Sequence, residues 1–277
     1  GAIYGLIGLG MNLIYNATGG LNFAQGSLVM LGAYVGVTFS RTLGLPVLPA
    51  AICALAVMAT VGAVFGFLVY EPVRNVNPQR FMLAALASGI FVSEGIQIIW
   101  GKLPFMVPRF IAQPSIRYQG LVFDTQNLLI LGVVLVAVGA LSILLMKTQL
   151  GLMMRAVGQS KEVSSLMGIP VRRMIRVTFA CSTALATIAG VMAGPIFFVS
   201  PLLANLSTKG FAAAVIGGFS PRVSGVILGG IIVGLVEIFA AYLISSAYRD
   251  AWGFAFLICF LLIRPRGLFG EQVAQKA

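Results

Sequence analysis

Residues 147–176, KTQLGLMMRAVGQSKEVSSLMGIPVRRMIR, form the one long polar break in a chain that is otherwise close to continuous hydrocarbon. Lys147, Arg155, Lys161, Arg172, Arg173 and Arg176 sit here against a single acid, Glu162, out of 18 basic residues in the whole chain. Apolar runs enter this stretch at 128–146 and leave it at 177–199, and three more occupy 47–70, 81–100 and 223–244. Each is long enough to cross about 30 Å of hydrocarbon as a helix, which takes about 20 residues. Only 9% of the 277 residues are charged, against about 25% in a soluble domain, and the mean hydropathy is +1.02. The fold class that follows is all-α: a polytopic transmembrane helical bundle in one domain, 1–277, with 147–176 as a cytoplasmic loop inside it. The net charge of +11 fits the bias of Lys and Arg toward cytoplasmic loops, so no nucleic-acid partner is expected.

Working toward the N-terminus, the chain opens at Gly1 inside an apolar run, so the first span reads as incomplete. Asn16–Gly20 and then Asn22, Gln25, Gly26 and Ser27 bring small and polar groups to membrane depth. Backbone that leaves the helix there survives only when protein or a water-filled cavity surrounds it. The reading is a broken span that resumes over 28–40. The proline-rich loop 101–124 carries Lys102, Arg109 and Arg117, and alternation places it on the face opposite 147–176.

Toward the C-terminus, Arg264 and Arg266 argue for a cytoplasmic tail. That parity needs one crossing between 199 and 223. Segment 202–219, with Asn205, Lys209 and a run of small residues, supplies it as interrupted half-helices. The count is about eight crossings with broken or re-entrant segments. Small residues recur four apart at Gly62/Gly66, Ala186/Gly190/Gly194, Gly225/Gly229 and Gly230/Gly234. That spacing lets helices approach closely, here read as internal packing rather than a dimer seam.

Catalytic constellations are scarce. The chain has no histidine, which removes His-ligated haem and most zinc chemistry. Cys53, Cys181 and Cys259 lie far apart inside apolar spans, with no pairing motif. Gly101-Lys102 lacks the glycine-rich approach of a P-loop. Two acids, Glu94 and Glu237, fall inside spans, where a charge is expensive and marks a pathway or a packing hydrogen bond. For Glu237 the packing role is the expected one. Within the loop, Val163, Leu166 and Met167 make one apolar stripe on a short helix, with Ser160 as its N-cap and Gly168 and Pro170 ending it. Such a stripe needs cover: the bundle itself, lipid headgroups or a partner's groove.

Four blocks carry a resemblance: GLNFAQGSLVMLGAYV (20–35), TQLGLMMRAVGQSKEVSSLMGIPV (148–171), FAAAVIGGFSPRVSGVILGGIIVGLVE (211–237) and YRDAWGFAFLICFLLIRPRGLFG (248–270). Together they resemble the permease subunits of the branched-chain (hydrophobic) amino-acid ABC importers, over essentially the whole chain. The resemblance implies a non-enzymatic translocation subunit in a bacterial inner membrane, with a cytoplasmic C-terminus. It carries no cofactor of its own. Two ABC ATPase subunits would bind ATP and Mg, a second and usually different permease would complete the pathway, and a periplasmic solute-binding protein would deliver the solute. Relatives in this resemblance handle branched-chain amino acids, urea, short amides and small organic acids.

Arg155, Ala156, Gly158, Val163, Leu166, Met167, Gly168 and Ile169 then form the element that couples to the ATPase. Asn22, Phe23, Gln25, Gly26 and Glu94 are the candidate solute pathway, and Glu237 a structural acid; Glu237 and Asp250 match positions commonly acidic in the family. Gln25 stands where the family usually has histidine, and Gln159-Ser160-Lys161 where it usually has an acidic stretch. A stand-alone channel for a small polar or neutral solute is the alternative, and it has no use for the 148–171 block.

Overall fold

The computed structural model describes all residues except 75–76, 108–109, 111–114, 119–120, 222, 244–247 and 271–277. Arg109 therefore lies outside the described residues, as do the side chains of Arg117 and Asp250. In chain order the helices are α1 (Ala2–Thr18), α2 (Gln25–Val37), α3 (Val47–Phe65), α4 (Pro78–Trp100), α5 (Thr125–Lys147) and α6 (Gln149–Gln159). They continue as α7 (Lys161–Leu166), α8 (Val171–Phe197), α9 (Leu206–Gly217), α10 (Val223–Leu243) and α11 (Arg249–Ile263). The apolar runs thus become helices where the sequence placed them. Five helical stretches, Val47–Val73, Pro78–Trp100, Thr125–Lys147, Val171–Phe197 and Val223–Leu243, are long and apolar enough to cross a membrane. One short antiparallel hairpin, β1 (Ser115–Tyr118) with β2 (Leu121–Asp124), interrupts the helical pattern in the loop between α4 and α5. It ends on Asp124, whose carboxylate caps α5 by accepting the Gln126 N–H at 2.9 Å.

α1 and α8 form the centre. Among the five long apolar stretches α8 is the most enclosed, 67% of its apolar window being buried, against 17% for α4. Helices α4 and α5 instead turn residues such as Phe91, Ile98, Leu135 and Val136 outward, as suits a lipid- or partner-facing side. The small-residue pairs work inside this bundle. A Cβ on Gly190 would strike the Val29 carbonyl of α2, one on Gly229 the Ala213 carbonyl of α9, and one on Gly62 the Thr183 side chain of α8. The spacing therefore serves close helix packing within one chain.

One correction concerns the first span. Residues 16–18 stay helical; α1 ends at Gly19, in the left-handed conformation at φ 80°. The chain then reverses rather than resuming in the same direction. Gly10 of α1 and Gln25, the first residue of α2, both face Ser182 of α8, while Asn16 of α1 lies back against Gly158. Farther along, Gly32 and Gly36 of α2 meet Thr187 and Val191 of α8. So α2 runs parallel to α8 and α1 runs against it. Segment 2–40 therefore holds two antiparallel helices where one interrupted span was expected. The physical reason is that Gly19 takes the left-handed conformation the turn needs, and Gly32 and Gly36 let α2 lie close along α8.

The segment after α8 behaves as expected of a re-entrant element. A 3-10 turn, Pro201–Asn205, leads into α9, which ends at Gly218 with φ 90°. Ala204 and Ser207 press on Gly26, whereas Phe219 stacks on Tyr15 at 4.5 Å between centroids. The segment thus descends from the level of the α2 start to the end of α1.

Contacts define the two ends of the bundle. At one end Trp100 donates from its indole N–H to Thr38 Oγ1 at 2.9 Å, Arg41 holds the Met106 carbonyl, and Phe105 pairs with Val199 through their backbones. At the other lie the end of α1, the α6–α7 loop, Arg74, Arg172, Arg173, Arg176 and the residues after α11; there Leu268 donates its N–H to the Ile216 carbonyl at 2.7 Å. Arg176 meets Glu71 at 2.6 Å on this second end, which is far richer in positive charge.

Candidate coupling and translocation sites

The loop is built from two helices rather than one. Thr148 caps α6 by accepting the Gly151 N–H at 3.1 Å, and α6 doubles back so tightly that a Cβ on Gly151 would overlap the Leu144 and Leu145 backbone of α5. Met154 and Val157 of α6 are buried against the bundle, and Arg155 stays exposed. Ser160 closes α6 and opens α7, accepting the Val163 N–H at 3.3 Å, as its capping role requires. Gly168 takes φ 80° and the Ile169 N–H returns to the Ser164 carbonyl at 3.0 Å, which ends the turn.

This capped unit presents its apolar residues to the outside. Val163 is 55% exposed, Leu166 89% and Met167 77%, whereas Ser164 on the opposite face is buried. The sequence-predicted coupling residues therefore divide. Arg155, Val163, Leu166, Met167 and Gly168 face outward, while Ala156 and Ile169 are half-buried at the seam with the bundle. Gly158 is exposed but backs closely onto the Asn16 carbonyl of α1. A groove of about 330 Å³ lies here, lined by residues 16–19 and 157–162.

At mid-bundle the reversal after α1 brings polar groups together. Asn22 and Gln25 are fully enclosed. The Asn22 side-chain carbonyl accepts the Ala24 N–H at 3.2 Å, and its amide reaches Gln25 Oε1 at 3.5 Å. The Ser182 hydroxyl stands 3.1 Å from Gln25 Oε1 and 2.9 Å from the Gly10 carbonyl. Ser27 donates to the Gly89 carbonyl of α4 at 2.7 Å. Asn22, Gln25 and Gly26 thus meet α1, α8 and the α9 approach at one level, with Phe23 half-exposed at the edge. Glu94 is elsewhere: it lies exposed on α4, accepting from Gln97 at 3.2 Å, and the structure does not bring it to this cluster.

Glu237 is fully buried, and its carboxylate is doubly held. Tyr4 of α1 donates its hydroxyl at 3.0 Å, and Lys209 of α9 places Nζ at 2.9 Å. The acid is therefore one half of an intramembrane ion pair that ties the start of α9 to α1 and α10. The sequence marked both residues separately. A cheap signal was available, since two opposite charges in an apolar region are each too costly to stay unpaired. Tyr4, one aromatic among many, carried no such signal.

These features define a multi-pass membrane protein with a polar centre and an exposed apolar helix at its basic end. The family model described as branched-chain amino acid transport system / permease component matches residues 1–263, and the chain belongs to that family. It is accordingly a permease component of an ABC importer and not an enzyme. It is similar to the high-affinity branched-chain amino acid transport system permease protein BraD of Pseudomonas aeruginosa, 29% identical across all of this chain and 94% of BraD. LivH of Escherichia coli is 28% identical with the same coverage. The probable branched-chain amino acid transport permease LivH of Methanocaldococcus jannaschii is 29% identical over 96% of this chain and 88% of that protein. No solved structure matches the chain.

Proposed function

We propose that this chain carries hydrophobic amino acids, branched-chain ones foremost, across a bacterial inner membrane as one half of a permease pair. Two ABC ATPases holding ATP and Mg dock on its basic end, which faces the cytoplasm together with the C-terminus. A second, different permease completes the pathway and a periplasmic binding protein delivers the solute. Related small solutes such as urea, amides or organic acids are the other members of the substrate class. The observation that carries this reading is the capped α7 with Val163, Leu166 and Met167 turned outward among basic residues. In water such a stripe costs free energy, and a groove on a cytosolic partner would relieve it.

In this scheme ATP binding closes the ATPases and draws the α7 helices of the two permeases together. The bundle then alternates between outward- and inward-open states around the reversal at Asn22–Ser27. That site is small and polar, so it suits weak, transient binding, with selectivity held by the binding protein. Glu94 has no part in the scheme because it is exposed on α4 and accepts from Gln97, with no contact to the cluster among the described residues.

The test is purification of the tagged chain in mild detergent with its co-encoded subunits, followed by reconstitution with enclosed ATP and external binding protein. Uptake of radiolabelled leucine that requires ATP is the expected result. A chain that comes out alone and passes solute in ATP-free liposomes would be a channel, and the proposal would be wrong.

A further inference from the structure

The loop and the mid-bundle reversal are far apart in polarity but share one residue. Lys161, the first residue of α7, turns inward while the apolar stripe of the same helix turns out. Its Nζ donates to the Thr18 carbonyl at 2.9 Å and to the Tyr70 hydroxyl at 3.0 Å. Both targets are buried where helices end. Thr18 is the last residue of α1, and its hydroxyl lies 2.7 Å from the Ile14 carbonyl and accepts the Gly20 N–H at 3.2 Å. It therefore fixes the start of the reversal that leads to Asn22 and Gln25. Tyr70 ends a π-helical turn, Gly66–Tyr70, that closes α3. Such turns are rare and occur frequently at functional sites. The Tyr70 ring packs edge-on against Phe81 of α4 at 5.3 Å and lies 6.1 Å from Phe179 of α8.

We propose that Lys161 is the positioning residue through which displacement of α7 reaches the reversal at 19–25 and the Tyr70–Phe81–Phe179 cluster. The inference rests on the coupling reading above. An ammonium is well suited to the task. The last carbonyls of a helix carry partial negative charge and lack intrahelical donors, so Lys161 satisfies one of them on α1. Its four-carbon stem spans the groove between α6–α7 and the end of α1. Drawing α7 outward must either carry Thr18 and Tyr70 with it or break both bonds at once.

The experiment compares Lys161→Met and Lys161→Arg in the complete reconstituted transporter, measuring leucine uptake and ATP hydrolysis in the same vesicles. Methionine keeps most of the apolar stem and removes the charge. Leucine moved per ATP hydrolysed should fall on the order of tenfold for Lys161→Met, inside the range of ordinary coupling between sites. Lys161→Arg should restore most of it. Tyr70→Phe, which keeps the ring and loses one acceptor, should show a smaller fall and guards against a Lys161 variant that fails to assemble. An unchanged ratio in both Lys161→Met and Tyr70→Phe overturns the inference. So does a loss of uptake and hydrolysis in equal proportion, which would make Lys161 a support for α7 and nothing more. Absence of ATP-driven uptake in the unaltered transporter is a different failure, that of the coupling reading itself.

Discussion

The loop 147–169 and the mid-bundle polar groups break the same rule in opposite directions. In the loop, Val163, Leu166 and Met167 are apolar and exposed at the basic end. In the centre, Asn22, Gln25, Ser182 and Glu237 are polar and sealed in an apolar interior. The two departures differ in what they cost. Most buried polar groups are already compensated inside the chain, by Lys209 and Tyr4 around Glu237 and by the Asn22 and Ser182 contacts to Gln25 Oε1, while Gln25 Nε2 has no hydrogen-bond partner among the described residues. Among the described residues nothing covers the exposed stripe, and under the coupling reading a partner's groove would relieve it. Removing a central group should therefore unfold the protein, and removing a loop group should disconnect it.

The largest effect belongs to the ion pair. Glu237→Ala leaves the Lys209 charge in the interior, and breaking one side of a buried pair costs about 3–5 kcal/mol. The isolated chain in detergent should lose thermal stability sharply, and the paired change Glu237→Ala with Lys209→Met should recover much of the loss. Equal melting temperatures for the single and double variants would mean that the pair is not what holds α9 to α1 and α10.

Gln25→Ala comes next. It removes the acceptor facing Asn22 and Ser182 and leaves buried groups short of a partner, a penalty of about 1–3 kcal/mol. Gln25→Glu is the sharper probe of function. It keeps the shape and adds a charge at the level of the reversal, so uptake should fall well below that of Gln25→Asn. Equal uptake in the two would remove the reversal from the pathway.

How far the sequence anticipated this comparison depends on the residue. The long apolar runs, the Ser160 cap and the Gly168 stop were legible because each is set by local chemistry: length against hydrocarbon thickness, a hydroxyl for orphan N–H groups, and a left-handed glycine. The reversal at Gly19–Ala24 was not. Small and polar residues at membrane depth look the same whether the chain continues or turns back, and the decision lies with Gly10 and Gln25 meeting Ser182. Glu94, expected on the same pathway, lies apart from the cluster, and the sequence hid this for a related reason. α4 is apolar on nearly every side, so periodicity could not tell which face the bundle covers. The second helix of the loop was also hidden. Residues 149–159 are amphipathic, but their buried side faces α5, α1 and α8 together, which no local pattern reveals.

The smaller effects lie in the loop. Ser160→Ala deletes the N-cap of α7 and should cost about 1 kcal/mol of local helix stability. Amide exchange across 160–166 should quicken, while the bundle melts at an unchanged temperature.

Smallest of all in stability, and most telling for the comparison, is Leu166→Glu. The side chain is 89% exposed, and surface substitutions of this kind move stability by no more than about 0.5 kcal/mol. The isolated chain should even gain slightly, since an apolar group leaves water. In the assembled transporter the same change puts a charge where a groove must be apolar, so ATPase subunits should be lost during purification and uptake should vanish. Met167→Ala is the milder companion, trimming contact area without adding charge, and should weaken retention of the ATPases without abolishing it. If Leu166→Glu instead destabilised the isolated chain, the stripe would be covered by this protein's own bundle and the loop would be no different in kind from the centre. A stable, soluble variant that no longer holds its ATPases is what an uncompensated surface predicts.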